Sequence, residues 1–265
     1  LNALASLKNL ETLNLDSTRV TELTALKSLI SLELLYVNHT VVGNLRALQD
    51  LKNLVRVYCD HTPINQTLAD AFMAANPEVL VIFDSEDLRG WWDALPEAWK
   101  DVLSKAARIQ RNPTKEELAK VTNLDSINFA TNSNIQDIEP LRKLQKLQVI
   151  NARNTALKDI SPLEEHKEIR ALDISATQVG DISILTQFGK LTELRADHTN
   201  ILDLESLKTA PAIQKIYADE TSINNFLVAE FLEKRPGCLV VYKSTMLEDW
   251  WNGLADDWKQ VFQKQ

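Results

Sequence analysis

Residues 10–29 read LETLNLDSTRVTELTALKSL, and residues 32–51 read LELLYVNHTVVGNLRALQDL in the same phase. A shift of 22 positions aligns the two segments, so that apolar residues fall on apolar residues and Thr40 falls on Thr18. A third unit keeps this phase from Leu54 to Ile64. The units of a second series begin at Leu124, Leu147, Ile169, Leu191 and Ile213. Repetition at a fixed interval is typical of solenoid proteins, in which each unit packs on its neighbours.

Each unit contains two different hydrophobic periods. Residues 10–15 alternate apolar and polar side chains, which predicts a short strand with its leucines pointing inward. Leu23, Leu26 and Leu29 then recur every third residue, which predicts a short helix or 3₁₀ turn on the opposite side. One unit cannot bury these leucines alone, so stacked units are expected to pair their strands into a parallel sheet.

Threonine and proline mark fixed places within the units. A Thr follows the strand at positions 18, 40, 62, 155, 177, 199 and 221. We expect its hydroxyl to satisfy backbone groups in the turn after the strand, which is a structural role. Pro140 and Pro162 each precede a leucine of the three-residue pattern and suit the first turn of a short helix.

This spacing resembles the leucine-rich repeat family in its short, 22-residue form, known from bacterial internalin-like proteins. The resemblance covers about two thirds of the chain. It implies an α/β solenoid of two tandem right-handed arrays, each with a parallel sheet on its concave face and with helical caps. It also implies non-enzymatic binding of a protein or peptide, and a bacterial cell-surface or secreted location.

A longer period divides the chain into two modules. A shift of 159 residues aligns 54–106 with 213–265 without a gap, and 19 of these 53 positions are identical. We therefore predict one module at 1–106 with a helical cap at about 85–106, and a second at 107–265. The second is expected to begin with a helix at about 114–121, because Thr114 and Glu117 have capping-box spacing, and to end with a cap at about 244–265. Leu1 falls in mid-repeat, and if the two modules match in length, the 159-residue offset predicts about fifty further residues before it.

All six tryptophans lie in the duplicated segment. A helix is expected before Pro77, then a strand at 79–83, and then two short helices separated at Pro96. In the second copy, Thr245 and Glu248 place the helix start at Thr245. The tryptophans are expected to cover the apolar ends of the arrays, so that Trp99→Ala and Trp258→Ala unfold their modules. The alternative is an aromatic patch that binds a partner.

Candidate ligand-binding residues are those that alternate with the buried leucines and therefore point into the concave face. They are Asn14, Tyr36, Asn38, Arg56, Tyr58, Asp60, Asn151, Arg153, Asp173, Arg195, Asp197, Lys215, Tyr217 and Asp219. Tyr36 and Tyr58 should stack on neighbouring strands, either as cross-strand packing or as an anchor for a peptide or a sugar ring. Asp60, Asp197 and Asp219 form either an acidic edge for a basic partner or a row of solvated carboxylates.

The sequence gives little support to catalysis or to metal binding. His39, His61 and His198 each precede the repeat Thr, and we interpret them as turn residues rather than as metal ligands, because zinc requires three or four. Cys59 occupies an inward position, where a free cysteine is normally inert packing. No phosphate-binding loop or hydrolase motif occurs, so no catalytic residue, metal or cofactor is predicted.

Composition limits the classes of partner. The net charge of −8 argues against nucleic acid, and apolar runs such as 79–83 are too short to span a membrane. The preferred function is protein or peptide binding. Carbohydrate binding is the alternative suggested by Tyr36, Tyr58 and nearby asparagines (Asn14, Asn38, Asn128 and Asn151). A structural role with self-assembly through the tryptophan-rich ends is a third.

Overall fold

The computed structural model describes residues 1–263. Ten three-residue strands form two parallel sheets, each with its strands in chain order. The four-stranded sheet contains Thr12–Asn14 (β1), Leu34–Tyr36 (β2), Arg56–Tyr58 (β3) and Leu80–Ile82 (β4). The six-stranded sheet contains Ser126–Asn128 (β5), Val149–Asn151 (β6), Ala171–Asp173 (β7), Glu193–Arg195 (β8), Lys215–Tyr217 (β9) and Leu239–Val241 (β10). The predicted alternation of strands and turns is confirmed.

Short helical turns occupy the other side of each coil. They are Asn2–Leu4, Thr24–Ser28, Arg46–Leu48, Glu139–Lys143, Ser161–Leu163 and Ser183–Gln187, with one α-helical turn, Glu205–Lys208 (α5). Pro140 and Pro162 lie in the first turn of their segments, as predicted. Proline is accepted there because its missing N–H would have no partner within the helix.

The repeat leucines form the core between strand and turn. The middle residue of each strand points inward, and in register it meets the middle residue of the next strand, as Leu13 meets Leu35 and Leu172 meets Leu194. Leu35, Leu172 and Leu194 are at most 1% exposed. Burial of such a side chain contributes about 1.5–3 kcal/mol, so the stack is stabilised coil by coil. This is the leucine-rich repeat architecture.

Every repeat threonine has the predicted structural role. Its hydroxyl donates a hydrogen bond to the backbone carbonyl three residues earlier, as from Thr40 to Val37 at 2.7 Å and from Thr177 to Ile174 at 2.6 Å. The same bond is made by Thr18, Thr62, Thr155, Thr199 and Thr221. The turn that follows each strand is therefore held by a side chain that satisfies a carbonyl outside the sheet ladder.

Longer helices follow each array. They are Gln66–Ala75 (α1), Ser85–Ala94 (α2), Glu97–Ala107 (α3), Lys115–Thr122 (α4), Asn225–Lys234 (α6), Ser244–Gly253 (α7) and Asp256–Gln263 (α8). The two-helix prediction is correct, since α2 ends before Pro96 and α3 begins after it. The predicted cap at 244–265 corresponds to α7 and α8, and its last two positions lie outside the described residues.

Of the two predicted capping boxes, one forms and the other does not. At the start of α4, the Thr114 N–H donates to the Glu117 carboxylate at 2.8 Å, and the Glu117 N–H donates to the Thr114 hydroxyl at 3.3 Å. The second prediction was wrong, because α7 begins at Ser244 and Thr245 is already helical. Here the Ser244 N–H and hydroxyl both donate to the Asp219 carboxylate. A contact from a neighbouring coil thus replaces the local cap.

The chain separates into two compact units. The first contains residues 1–95 and Ala107–Val121, and the second contains Pro96–Ala106 and the residues from Thr122 onward. The segments between 96 and 121 are therefore distributed between the units in an order that the repeat pattern does not show. The module boundary between residues 106 and 107 stays a prediction.

Candidate functional site

The candidate binding residues lie on the side of each sheet that faces away from the leucine core, and we call this side the sheet face. It carries the first and third residues of every strand. In the first unit, the rings of Tyr36 and Tyr58 stack with their centroids 4.4 Å apart and their planes 1° apart. The predicted stacking is confirmed, and it follows from the register that places Tyr36 opposite Tyr58 in adjacent strands.

Tyr58 is nevertheless covered by helix α4. Its side chain is only 4% exposed and packs with Ile82 and Ala119, and the Lys115 Nζ lies 4.7 Å from its ring centroid. Burial, followed by a hydrogen bond with Glu116, raises the pKa of Tyr58 to about 12. The repeat pattern did not reveal this cover. The capping box indicated that a helix begins near Thr114, but no local signal shows where the helix packs.

Side-chain oxygens on the sheet face bind the backbone of the next coil. Asp16 accepts from the Asn38 N–H at 2.7 Å, Asn38 accepts from the Asp60 N–H at 2.8 Å, and Asp60 accepts from the Ser85 N–H at 2.8 Å. In the second unit, Asp197 accepts from the Asp219 N–H at 2.9 Å. The carboxylates predicted as an acidic edge thus also connect successive coils.

Three further candidates stabilise their own turns. The side-chain oxygens of Asn14, Asn151 and Asp173 each accept from the backbone N–H two residues later, at 2.8 to 3.1 Å. Asn and Asp commonly form such Asx turns. These bonds use one acceptor oxygen in each side chain and leave the remaining polar atoms for other partners.

The sheet face of the second unit carries a mixed set of charges. Arg153 and Lys215 are exposed, while Asp173, Asp197 and Asp219 are half-buried. The guanidinium carbon of Arg195 lies 4.5 Å from the ring centroid of Tyr217, and its Nε donates to Glu193 at 2.7 Å. The carboxylate of Glu193 and the ring of Tyr217 therefore hold Arg195 in one orientation.

The remaining candidates have various environments. Arg56 is half-buried in β3, and Asn38 is 9% exposed. Asn38 and Tyr58 are thus the two members of the predicted ligand-binding set that the protein itself encloses. A sequence-based interpretation treats all outward positions alike, because alternation along a strand does not report what covers the sheet face.

The histidines lie in left-handed turns. The rings of His39 and His61 stack with centroids 4.3 Å apart, as the repeat spacing indicates. Their φ angles are 54° and 55°, and that of His198 is 53°. Histidine, like Asn and Asp, is enriched in this conformation, which explains its place before the repeat Thr. Within residues 1–263, no three His, Cys, Asp or Glu side chains are grouped to hold a metal ion.

The cysteines are buried, and burial raises the pKa of both thiols, to about 12 for Cys59. Each is therefore held as the neutral thiol, which is a poor nucleophile. Of the helices that the structure describes, none has the length and hydrophobicity that a membrane crossing requires.

Solved structures similar to the chain include two internalins and a leucine-rich repeat protein, all from bacteria. An internalin of Listeria monocytogenes is 17% identical, with a TM-score of 0.42, over 92% of this chain and 63% of its own. Internalin C2 of the same organism is 19% identical, with a TM-score of 0.42, over 88% and 80%. A leucine-rich repeat protein of Leptospira interrogans is 12% identical, with a TM-score of 0.39, over 91% and 68%. The present chain thus spans less than two thirds of the first of these internalins.

No family model and no curated protein matches the sequence. The repeat phase, the two parallel sheets and the short turns together show that the chain has the leucine-rich repeat fold.

Proposed function

We propose that the chain is a non-enzymatic scaffold that binds a protein or peptide on the sheet face of its second unit. The observation that carries this proposal is the pair formed by Arg195 and Tyr217, which is fixed in geometry and only half-buried. Arginine and tyrosine dominate binding hot spots because they offer a large contact area and hydrogen bonds at low entropic cost. A side chain that is already oriented loses less entropy when it binds a partner.

The surrounding charges favour a polar, extended partner. Arg153, Arg195 and Lys215 contribute donors, and Asp173 contributes a carboxylate on the same face. Such alternation matches a peptide, which presents carbonyls and N–H groups together with side chains of both charges. It also argues against a polyanion, which would require a face of one sign.

Carbohydrate binding is the weaker alternative in the first unit. A sugar ring stacks on an accessible aromatic face, whereas Tyr58 is already in contact with Tyr36 and with Lys115 and is buried. Tyr36 is half-buried, so it offers only part of the surface that was suggested for a glycan. Because they are enclosed, these tyrosines offer little contact surface to any ligand.

A selection experiment tests the proposal. The full chain would be screened against a random peptide library, and the affinity of the best peptide would be measured by calorimetry. Arg195→Ala and Tyr217→Ala should each weaken binding by about 30-fold, the effect of losing a hot-spot residue worth about 2 kcal/mol. Arg142→Ala and Phe226→Ala are matched controls, because Arg142 lies in an exposed turn and Phe226 is 74% exposed.

The proposal would be refuted if the selected peptides bound both variants as tightly as the unmodified chain. Glycan-array binding that is lost in Tyr36→Ala, with no peptide selected, would favour the carbohydrate alternative.

A further inference from the structure

The two copies of the duplicated segment differ in how much of their apolar surface is covered. Trp99 in α3 is 3% exposed, whereas its counterpart Trp258 in α8 is 58% exposed. Leu88 in α2 is 9% exposed, whereas its counterpart Leu247 in α7 is 62% exposed. The same holds for Leu103, which is fully buried, and its counterpart Phe262. The expectation that Trp258 is enclosed as a cover for its array is therefore wrong.

Residues 107–122, which we call the cover segment, contact α2 and the edge of the sheet in the first unit, whereas Trp99 packs on Phe129 within the second unit. The indole N–H of Trp92 donates to the carbonyl of Arg111 at 3.3 Å, and Arg89 donates to the carbonyl of Pro113. The segment then forms α4, which packs Ala119 against Tyr58 and Ile82. One irregular stretch followed by one short helix thus covers both the cap helix and the edge of the sheet.

Electrostatic contacts orient the cover segment. The Nζ of Lys115, at the start of α4, lies 3.7 Å from the carboxylate of Asp60. Asp60 is held in place because it accepts from the N–H and the hydroxyl of Ser85, each at 2.8 Å. A cation at the first turn of the helix therefore meets a preoriented carboxylate.

The second unit contains the same receiving groups. Asp219 is held by the N–H and hydroxyl of Ser244, as Asp60 is held by Ser85. Tyr217 and Val241 occupy the places of Tyr58 and Ile82, and Trp251 occupies that of Trp92. These groups are more open here. Leu239, the counterpart of the partly buried Leu80, is 53% exposed.

We propose that α7 and strand β10 bind the cover segment of another leucine-rich repeat module, namely an irregular stretch followed by a short helix with a lysine in its first turn. This partner would lie over Tyr217, the counterpart of the covered Tyr58, and would therefore compete there with the peptide ligand proposed above. It is inferred from the first unit, where a segment of this kind occupies the equivalent surface.

One substitution changes the chemistry that the second surface prefers. Arg89, which donates to the cover segment in the first unit, is replaced by Glu248. Glu248 is exposed and adds a carboxylate to the surface of the second unit that contains Asp219, so a basic cover segment is favoured. Residues 107–113 contain Arg108 and Arg111 beside Lys115, so the chain's own segment has the required charge.

The probe is a synthetic peptide of residues 107–122, titrated into the full chain up to millimolar concentration and followed by tryptophan fluorescence and NMR. We expect saturable binding of one peptide per chain. Leu239→Glu should weaken it at least tenfold, because it places a charge against the apolar side of the helix. The peptide that carries Lys115→Glu should also bind at least tenfold more weakly.

Leu202→Glu is the matched control, because Leu202 is 67% exposed and lies outside this surface. It should leave binding unchanged. The proposal is overturned if no saturable signal appears, or if Leu239→Glu binds the peptide as well as Leu202→Glu does. Because Leu239 is not part of the Arg195 and Tyr217 pair, a failure here is distinguishable from a failure of the ligand proposal.

Discussion

The strongest test of the packing compares two tryptophans that the sequence presents as equivalent. Trp99 and Trp258 occupy matching positions in the duplication, yet one is buried and the other is 58% exposed. We expect Trp99→Ala to destabilise the protein severely and Trp258→Ala to have a small effect. The comparison is internally controlled, since both variants remove the same atoms from a short amphipathic helix.

The contacts of Trp99 determine how much stability the Trp99→Ala variant should lose. Its ring lies 5.1 Å from that of Phe129, and its indole N–H donates to the carbonyl of Asp137 at 3.2 Å. Truncating a buried tryptophan to alanine costs about 3–5 kcal/mol, which includes the cavity left behind. The lost hydrogen bond contributes about 1 kcal/mol within that range. We therefore expect about 4 kcal/mol, a large part of the total stability of a typical domain.

Trp258 is much less buried, so its substitution should cost much less stability. Its ring contacts that of Phe262 at a centroid distance of 6.3 Å, and more than half of the side chain stays in water. Surface substitutions usually change stability by about 0.5 kcal/mol or less, so we expect Trp258→Ala to cost at most about 1 kcal/mol.

Urea unfolding of the full chain, followed by circular dichroism, measures both values from the midpoint and the slope of each transition. If the two units unfold in separate transitions, each transition is fitted on its own. If the two variants differ by less than about 1 kcal/mol, the assignment of Trp99 to a packed interior and of Trp258 to a surface is refuted.

Four further variants test the repeat turns and the buried histidine. Thr177→Val removes the hydroxyl that donates to the Ile174 carbonyl and should cost about 1–3 kcal/mol in urea unfolding, because that carbonyl loses its side-chain donor. His198→Val should lower stability by about 1–2 kcal/mol, whereas His198→Asn should be nearly neutral, since the left-handed backbone at φ 53° excludes β-branched residues. His166 is fully buried, and burial lowers its pKa in the folded chain. Below about pH 6.5 the unfolded chain therefore binds more protons than the folded chain does, so the free energy of unfolding falls as the pH decreases. His166→Gln keeps a donor for the Leu141 carbonyl and should lose less stability than the unmodified chain between about pH 7 and about pH 5; equal losses would contradict this explanation.

The sequence predicts the coil interior well because the repeat encodes it locally. The phase set by residues 10–29 fixes which residue of each strand is buried, and Leu35 and Leu172 lie where that phase places them. The bonds of the repeat threonines follow for the same reason, since donor and acceptor are three residues apart. Stacking of Tyr36 on Tyr58 needs only the register between neighbouring coils, which the 22-residue interval determines.

The cover over the sheet face could not be predicted in this way. Tyr58 and Tyr217 are identical residues in matching strands, but Tyr58 is 4% exposed beneath α4, whereas Tyr217 is half-buried. The cover over Tyr58 comes from residues 107–122, which follow the first copy of the duplicated segment. A contact between segments that are distant in sequence leaves no periodic signal in either of them, so pattern analysis assigns both tyrosines the same exposure.

This asymmetry also explains why we place binding in the second unit. On strands β2 and β8, Tyr36 and Arg195 occupy matching positions, and each contacts the tyrosine of the next strand. In the first unit, Lys115 supplies the cation for Tyr58 from helix α4 and the surface is enclosed. In the second unit, the cation for Tyr217 comes from the sheet itself, and the aromatic ring and the guanidinium are both only half-buried. The same residue pattern thus packs the interior of one unit and forms an accessible surface on the other, and only the accessible surface can receive a partner.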